Sequence, residues 1–189
     1  MKILGINYLS ESSVALIEDG KLKYAISEER LNRVKNWWGN PIKAINYVLK
    51  ETNNKIKDID LFATHGSTCS KNFTPTKNIF KNKIKEIQLS KLDSTKKNIQ
   101  INFLKKRFKK ESSARQRNAI NIETLKKKYK KLDIHDHHEA HAASAYFYSG
   151  WSKCYVLTID GWGDDSSSKL YKANNGKLTQ LSTTSSIDS

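Results

Sequence analysis

The sequence predicts an α/β fold assembled from a repeated three-stranded opening, and two observations carry that prediction. The first is the order of apolar periodicities: three short alternating runs, one amphipathic helix and one buried run, which together read βββαβ. The second is an internal repeat. Ile3-Leu4-Gly5-Ile6-Asn7, a polar turn, Ser12-Ser13, a strand and Gly20-Lys21-Leu22 return as Val156-Leu157-Thr158-Ile159-Asp160, a polar turn, Ser167-Ser168, a strand and Gly176-Lys177-Leu178. A chance recurrence of short β patterns is the plain alternative. The expected organisation is a first lobe over residues 1–153, carrying a basic helical insert at about 71–131, and the incomplete beginning of a second lobe at 154–189.

Each element follows from local signals. Lys2 to Tyr8 alternates around Ile3, Leu4 and Ile6, Ser13 to Ile17 alternates again, and Leu22 to Ser27 makes a third run. Asp19-Gly20 between the second and third is a hairpin signal, since both turn positions want positive φ. Pro41 suits the first position of a helix whose apolar face is Ile42, Ile45, Val48 and Leu49. Ile59 to Thr64 reads as a buried strand ending at His65-Gly66. The insert has helical spacing in three pieces: Phe80, Ile84 and Ile87; Ile101, Leu104 and Phe108; Ile122, Leu125, Tyr129 and Leu132. A small-residue helix from His138 to Tyr148 leads through Ser149-Gly150 to the strand Tyr155 to Ile159. Lys169 to Lys172 and Leu178 to Thr183 follow, parted by Asn174-Asn175-Gly176. A three-stranded sheet that stops at Ser189 has no following helix to cover it, so a truncated chain or one piece of a longer protein is expected.

Charge is distributed unevenly. The 189 residues carry 34 Lys and Arg against 19 Asp and Glu, a formal charge of +15. Between Lys71 and Lys131 there are 20 basic and 4 acidic residues, so the insert holds the whole imbalance. Cys69 and Cys154 lie far apart, away from the histidines, which argues against a disulfide framework or a cysteine zinc site and fits a reducing cytoplasm. No apolar run approaches about 18 residues, so neither a secretion signal nor a membrane span is expected.

Four of the five histidines fall in Asp133-Ile134-His135-Asp136-His137-His138-Glu139-Ala140-His141. On a helix His137 and His141 share a face and can present two imidazoles to one metal ion, and His138 with His141 offers an alternative pair. Asp160, at the end of an apolar strand, is a natural carboxylate partner, because an ionised group there needs a cation or hydrogen bonds. The bland alternative is a set of surface histidines at a helix end. Glu139 sits at the wrong spacing for an H-E-x-x-H zinc protease helix. The turn Asp160-Gly161-Trp162-Gly163-Asp164-Asp165 lets backbone amides approach a phosphate, or is an ordinary hairpin loop. Paired with Asn7 to Ser13, it is reminiscent of the facing turns with which duplicated ATPase folds hold phosphates. Glu28-Glu29-Arg30, Arg33 and Lys35 form a charge cluster, read either as solvated ion pairs or as cationic groups for an anionic substrate.

Taken together, these motifs resemble the carbamoyltransferase family that includes the nodulation-factor and aminoglycoside-antibiotic O-carbamoyltransferases. ILGIN, ESSVALIEDGKL, SEERLNRVKN, HHEAHAASAYFYSG and VLTIDGWGD follow the family order, over Met1 to about Asp60 and His137 to Ser189. The resemblance implies a duplicated actin-like ATPase fold of RNase H-like βββαβ lobes. It further implies transfer of a carbamoyl group to a hydroxyl of a small molecule or sugar, from carbamoyladenylate that a separate C-terminal domain makes from carbamoyl phosphate and ATP. His137 and His141 match iron-binding histidines and Asp160 a carboxylate ligand, so the implied cofactor is a divalent metal, Fe(II). Lys35, with Gly161 and Gly163, falls where contact with the adenylate is expected.

The chain departs from the family pattern where His-Asp commonly precedes the Ser-Ser-Ala turn. Here Ser10-Glu11 stands instead, which leaves Glu11 as the candidate base for the acceptor hydroxyl. A further carboxylate ligand and the adenylate-forming domain are expected beyond Ser189, or in a companion chain. Two other readings compete. The lysine-rich insert suits a tRNA-modifying or nucleic-acid-binding protein, although 29 of the 34 basic residues are lysine and few aromatics interleave with them. An inactive remnant that pairs with another subunit is the other.

Overall fold

The computed structural model describes residues 1–9, 11–66, 75–129 and 131–185; side chains at 75–79, 107, 108, 110–123 and 162 are not part of that description. Ser10, Cys69 and the side chains of Phe108 and Ile122, all used in the sequence reading, lie outside the described residues. Two compact units are distinguished, one from Met1–Ser67 with Ile120–Asp136 and the other from Thr68–Ala119 with His137–Ser189.

The first unit is built on a five-stranded mixed sheet in the order β3-β2-β1-β4-β5. Strands β1 (Lys2–Asn7), β2 (Ser13–Glu18) and β3 (Lys21–Ser27) form the expected antiparallel meander. Asp19 and Gly20, at φ 50° and 75°, turn the chain between the paired Glu18 and Lys21. Leu4, Ile6, Val14 and Leu16 are buried. Each contributes on the order of 2 kcal/mol by leaving water. After the short helix α1 (Glu29–Asn32) comes α2 (Ile42–Glu51), which packs Ala44, Ile45, Val48 and Leu49 into the core beside β2 and β3. Pro41 occupies the cap of α2, one position ahead of the first-turn place expected for it.

Strand β4 (Leu61–His65) then pairs parallel with β1, and β5 (Leu132–His135) pairs parallel with β4. The fifth strand corrects the sequence reading, which placed Leu132 on a helix face. Helical spacing continues from Leu125 to Tyr129, but Leu132 and Ile134 alternate as a strand and complete the sheet edge. The insert itself forms α3 (Pro75–Leu89) and α4 (Ser94–Lys128). Two of the three expected pieces merge in α4 because no Gly or Pro interrupts residues 94–128. Asp93 starts it by accepting the Lys96 N–H at 2.9 Å. At its far end Leu125 and Tyr129 are buried, and the Tyr129 ring stacks on Phe62 of β4 at 4.2 Å.

The second unit contains the antiparallel sheet β6-β7-β8, formed by Lys153–Gly163, Ser166–Asn174 and Lys177–Ser185. It is the predicted second meander, with strands several residues longer than their apolar cores. Asn175 and Gly176, at φ 45° and 82°, make the β7–β8 turn. Helix α5 (His137–Ser149) packs on β6 and β7. Its run of alanines favours the helix, and Gly150 at φ 73° ends it. Ala142, Tyr146, Val156, Tyr171 and Ala173 form the core of this unit, with Cys154 and Leu178 against it. One face of the sheet is therefore covered, while Tyr155, Leu157 and Ile159, alternating on the opposite face of β6, stay exposed. None of the described helices is long and apolar enough to cross a membrane.

Candidate metal centre

Three features of the second unit position the predicted cluster. The first is helical periodicity, which puts His137 and His141 one turn apart on the same side of α5 with ring centroids 4.6 Å apart. The second is a break in the β6–β7 ladder. Pairing is regular from Lys153 to Ile159, then skips to Gly163 opposite Ser166, so Asp160 to Trp162 bulge out of register. A bulge re-aims the side chains it carries, and here it belongs to the segment that bears Asp160. The third is the tight turn after it, where Asp164 and Asp165 both take positive φ, 46° and 69°, between the paired Gly163 and Ser166.

This turn holds the start of the helix. Asp164 Oδ2 accepts the backbone N–H of His137 at 2.7 Å, satisfying one of the orphan donors at the N-terminus of α5. Gly163 lies flat against the His137 ring: a Cβ built there would sit 2.1 Å from Cδ2, 2.6 Å from Cγ and 2.8 Å from Nε2. With the imidazole where it lies, there is no room for a side chain at 163. Gly161 has open space around its Cβ position, and its N–H turns back to Asp160 Oδ1 at 2.6 Å.

The three predicted ligand atoms converge. His137 Nε2 is 2.7 Å from Asp160 Oδ2, His141 Nε2 is 3.0 Å from His137 Nε2 and 3.8 Å from the same carboxylate oxygen. Among the described residues these are the three metal-ligating side chains whose donor atoms come together, within 4.8 Å of one another. Atoms so spaced can all lie about 2.1 Å from a single point, the bond length that imidazole nitrogen and carboxylate oxygen adopt toward first-row divalent ions. A set of two imidazoles and one carboxylate suits Fe(II), Zn or similar ions.

Electrostatics leaves two members in their ligating forms. Burial holds the His141 imidazole below its ordinary pKa, and the neighbouring His137 ring pushes the same way against the pull of Asp160. Burial alone would raise the Asp160 carboxyl, but hydrogen bonds from His137 and the Gly161 N–H, together with both imidazoles, hold it below its ordinary value. Near neutral pH His141 is therefore an uncharged imidazole and Asp160 an anion.

His138 does not belong to this cluster, which removes the alternative pairing with His141. Its ring is fully buried on another side of α5, with Nδ1 2.9 Å from Thr158 Oγ1 and Nε2 3.1 Å from the Ser166 carbonyl oxygen.

Glu11 and Lys35 are residues of the first unit. Glu11 is exposed at φ 55° just before β2, and its carbonyl accepts a hydrogen bond from the Asn7 side chain at 3.3 Å. Lys35 is exposed on a loop pinned on either side by Val34 N–H to Asn32 Oδ1 and Asn36 N–H to Glu29 Oε2, at 2.8 and 2.9 Å. Glu28 departs from both readings of its charge cluster. It is 3% exposed, and its carboxylate accepts the Ala44 and Lys43 N–H groups at 2.7 and 3.3 Å, capping α2 from a distance.

Residues 2–188 match the family model described as carbamoyltransferase N-terminus. The chain belongs to that family. The resemblance carried by HHEAHAASAYFYSG and VLTIDGWGD is thereby borne out, and the match runs through the lysine-rich insert as well. Among curated relatives, this carbamoyltransferase N-terminal region is 27% identical over 180 residues to the uncharacterized protein sll1178 of Synechocystis sp., covering 94% of the chain and 28% of that protein. It is 26% identical over 182 residues to nodulation protein NolNO of Sinorhizobium fredii, covering 96% of the chain and 24% of NolNO. The chain thus spans about a quarter of the length of the curated relatives it matches. Among solved structures it aligns with YeaZ from Pseudomonas aeruginosa at a TM-score of 0.46 and 14% identity, over 96% of this chain and 64% of that one.

Proposed function

We propose that this carbamoyltransferase N-terminal chain holds a divalent cation, Fe(II), on His137, His141 and Asp160, and serves O-carbamoyl transfer from carbamoyladenylate to a hydroxyl of a small molecule or sugar. The observation that carries the metal reading is the approach of three lone-pair-bearing atoms to 2.7, 3.0 and 3.8 Å of one another. When bound, the cation would act as a Lewis acid that polarises the carbamoyl carbonyl or fixes the adenylate phosphate. His141 and Asp160 offer their ligating protonation states near neutral pH, and Gly163 and Asp164 fix the ring and the backbone of His137.

In the transfer, the acceptor oxygen forms the new bond to the carbamoyl carbon, the bond from that carbon to the adenylate phosphate oxygen breaks, and AMP leaves. We assign the hydroxyl proton to the Glu11 carboxylate and contact with the anionic adenylate to Lys35, on the strength of their motif positions and exposure. Formation of the adenylate from carbamoyl phosphate and ATP is assigned to a further domain or companion chain. The proposed fold is the duplicated actin-like ATPase arrangement, supported by the two meanders of like strand order.

Metal analysis of protein purified without added chelator tests the first step. About one equivalent of first-row metal is expected in the native protein and a loss of most of it in His141→Ala. Equal metal content in the two proteins would overturn the reading.

A further inference from the structure

His138 is buried between α5 and the sheet, next in sequence to His137, and its bonds distinguish it from a simple core residue. The Ser166 carbonyl can only accept, so Nε2 of His138 carries a proton and donates to it across 3.1 Å. Nδ1 lies 2.9 Å from the Thr158 hydroxyl oxygen, and that hydroxyl donates to the Lys169 carbonyl at 3.2 Å. The ring is completely buried, so these partners replace water entirely. Both are placed to matter for the cluster. Thr158 lies two residues before Asp160 on β6, and Ser166 opens β7 directly after the turn that carries Asp164.

We infer that His138 is a positioning residue for the metal centre: it fixes the first turn of α5 to β6 and β7 and so sets the distance between the two helix-borne imidazoles and Asp160. This rests on the proposed metal site and adds to it a residue with no contact to the ion. A helix held to a sheet by apolar packing alone can slide by fractions of an ångström, whereas ligand geometry tolerates about 0.2 Å. Two hydrogen bonds to separate strands, made by the residue adjoining one ligand, remove that freedom. His138 reaches β7 at Ser166, Asp164 reaches His137 from the turn, and Asp160 completes a closed loop of contacts between helix and hairpin.

The test uses the full chain with Co²⁺ as the probe, because its visible absorption reports ligand geometry, and follows hydrogen exchange at the His137 amide in metal-free protein. His138→Leu keeps an apolar filling but loses both bonds, Thr158→Val removes one partner at equal size, and His138→Gln retains a donor near the Nε2 position. Expected are a fall in Co²⁺ affinity of about 10- to 100-fold in His138→Leu, as for outer-sphere partners generally, a smaller fall in Thr158→Val, an altered absorption spectrum in both, and partial rescue in His138→Gln. Exchange at the His137 amide should quicken in the same order. Should His138→Leu fail to fold, Thr158→Val decides. Native affinity, spectrum and exchange rate in folded Thr158→Val or His138→Leu overturns the inference. Absence of Co²⁺ binding in the native chain would sink the metal reading instead, and the exchange rates would still judge the tether.

Discussion

Gly163→Ala provides the sharpest perturbation of the candidate centre, since it adds one methyl group and leaves every ligand in the sequence. The new Cβ would stand 2.1 Å from His137 Cδ2. Carbon atoms not bonded to each other settle at about 3.5 Å or more, so the ring must withdraw by about 1.4 Å. That is several times the tolerance of roughly 0.2 Å that ligand distances allow. The strain is inexpensive for folding, because His137 can rotate about its own side-chain bonds. Its effect on ligation is not, because rotation carries Nε2 out of the triangle with His141 and Asp160. Divalent-metal affinity should therefore fall by about 100-fold or more, at or beyond the upper end of losses seen when ligand support is removed. The melting temperature of the metal-free protein should stay within a few degrees of native. Calorimetric titration with Co²⁺ or Zn²⁺, alongside a thermal melt by circular dichroism, reads both quantities. Gly161→Ala is the control, because nothing lies within 4 Å of its Cβ position and binding should be unchanged. Affinity within threefold of native in folded Gly163→Ala would refute the reasoning, since it would mean that His137 is not a ligand or that its ring does not lie where described.

Three further outcomes are expected. Glu28→Ala strips a buried carboxylate from the first turn of α2 and should destabilise the protein by about 2 kcal/mol, as lost caps with an unpaired amide do, with Glu28→Gln milder; denaturant unfolding measures both. Tyr146→Phe removes a hydroxyl that donates to the Ser152 carbonyl and accepts from the Gly176 N–H, at 3.1 and 2.9 Å, and should cost about 1–2 kcal/mol in the same assay. The third concerns pH. The folded-state pKa of His141 lies below its ordinary value, so as pH falls past that ordinary value the unfolded chain takes up a proton before the folded one does. Stability of the metal-free protein should therefore decline as pH falls through that window and level off below the folded pKa. Asp160, also lowered, adds a second decline below its own ordinary value. Unfolding curves at stepped pH should show the first component vanish in His141→Ala, and an identical profile in that variant would contradict the assignment.

What could be read from the chain and what could not divide along the range of the interactions involved. Turns such as Asp19-Gly20 and Asn175-Gly176 declare themselves because positive φ is a local demand met by particular residues. The pairing of His137 with His141 is equally local, a matter of one helical turn. Strand β5 was hidden because Leu132 and Ile134 follow a helix whose spacing overlaps with theirs, and four residues are too few to announce a period of two. Glu28 looked like surface charge because its partners, Lys43 and Ala44, are fifteen and sixteen positions away. Gly163 reads in the sequence as a phosphate-loop or hairpin glycine, and the structure adds a constraint that neither reading contains, the His137 ring, twenty-six positions earlier. No spacing rule reaches that far. Helix geometry offers a weaker hint: consecutive helical residues point about 100° apart, so His137 and His138 are not expected to face the same cation.

The two meanders differ in what meets their first strand's end. Asn7 ends β1 as Asp160 follows the apolar core of β6, and each meets an imidazole: Asn7 Oδ1 lies 2.9 Å from His65 Nε2, and Asp160 Oδ2 lies 2.7 Å from His137 Nε2. The difference between the two is the charge of one side chain and the presence of a second histidine. An amide oxygen is neutral, and Asn7 Oδ1 also accepts the Leu9 N–H at 3.0 Å, so that arrangement is a network of ordinary hydrogen bonds. A carboxylate facing two imidazoles carries net negative charge when both rings are neutral, and the burial that depresses His141 resists supplying the compensating proton. A divalent cation would more than offset that charge and engage all three lone pairs at once. At comparable strand ends, then, exchange of an amide for a carboxylate and addition of a second histidine one helical turn on separate an ordinary hydrogen-bonded contact from the site proposed here to hold a metal ion.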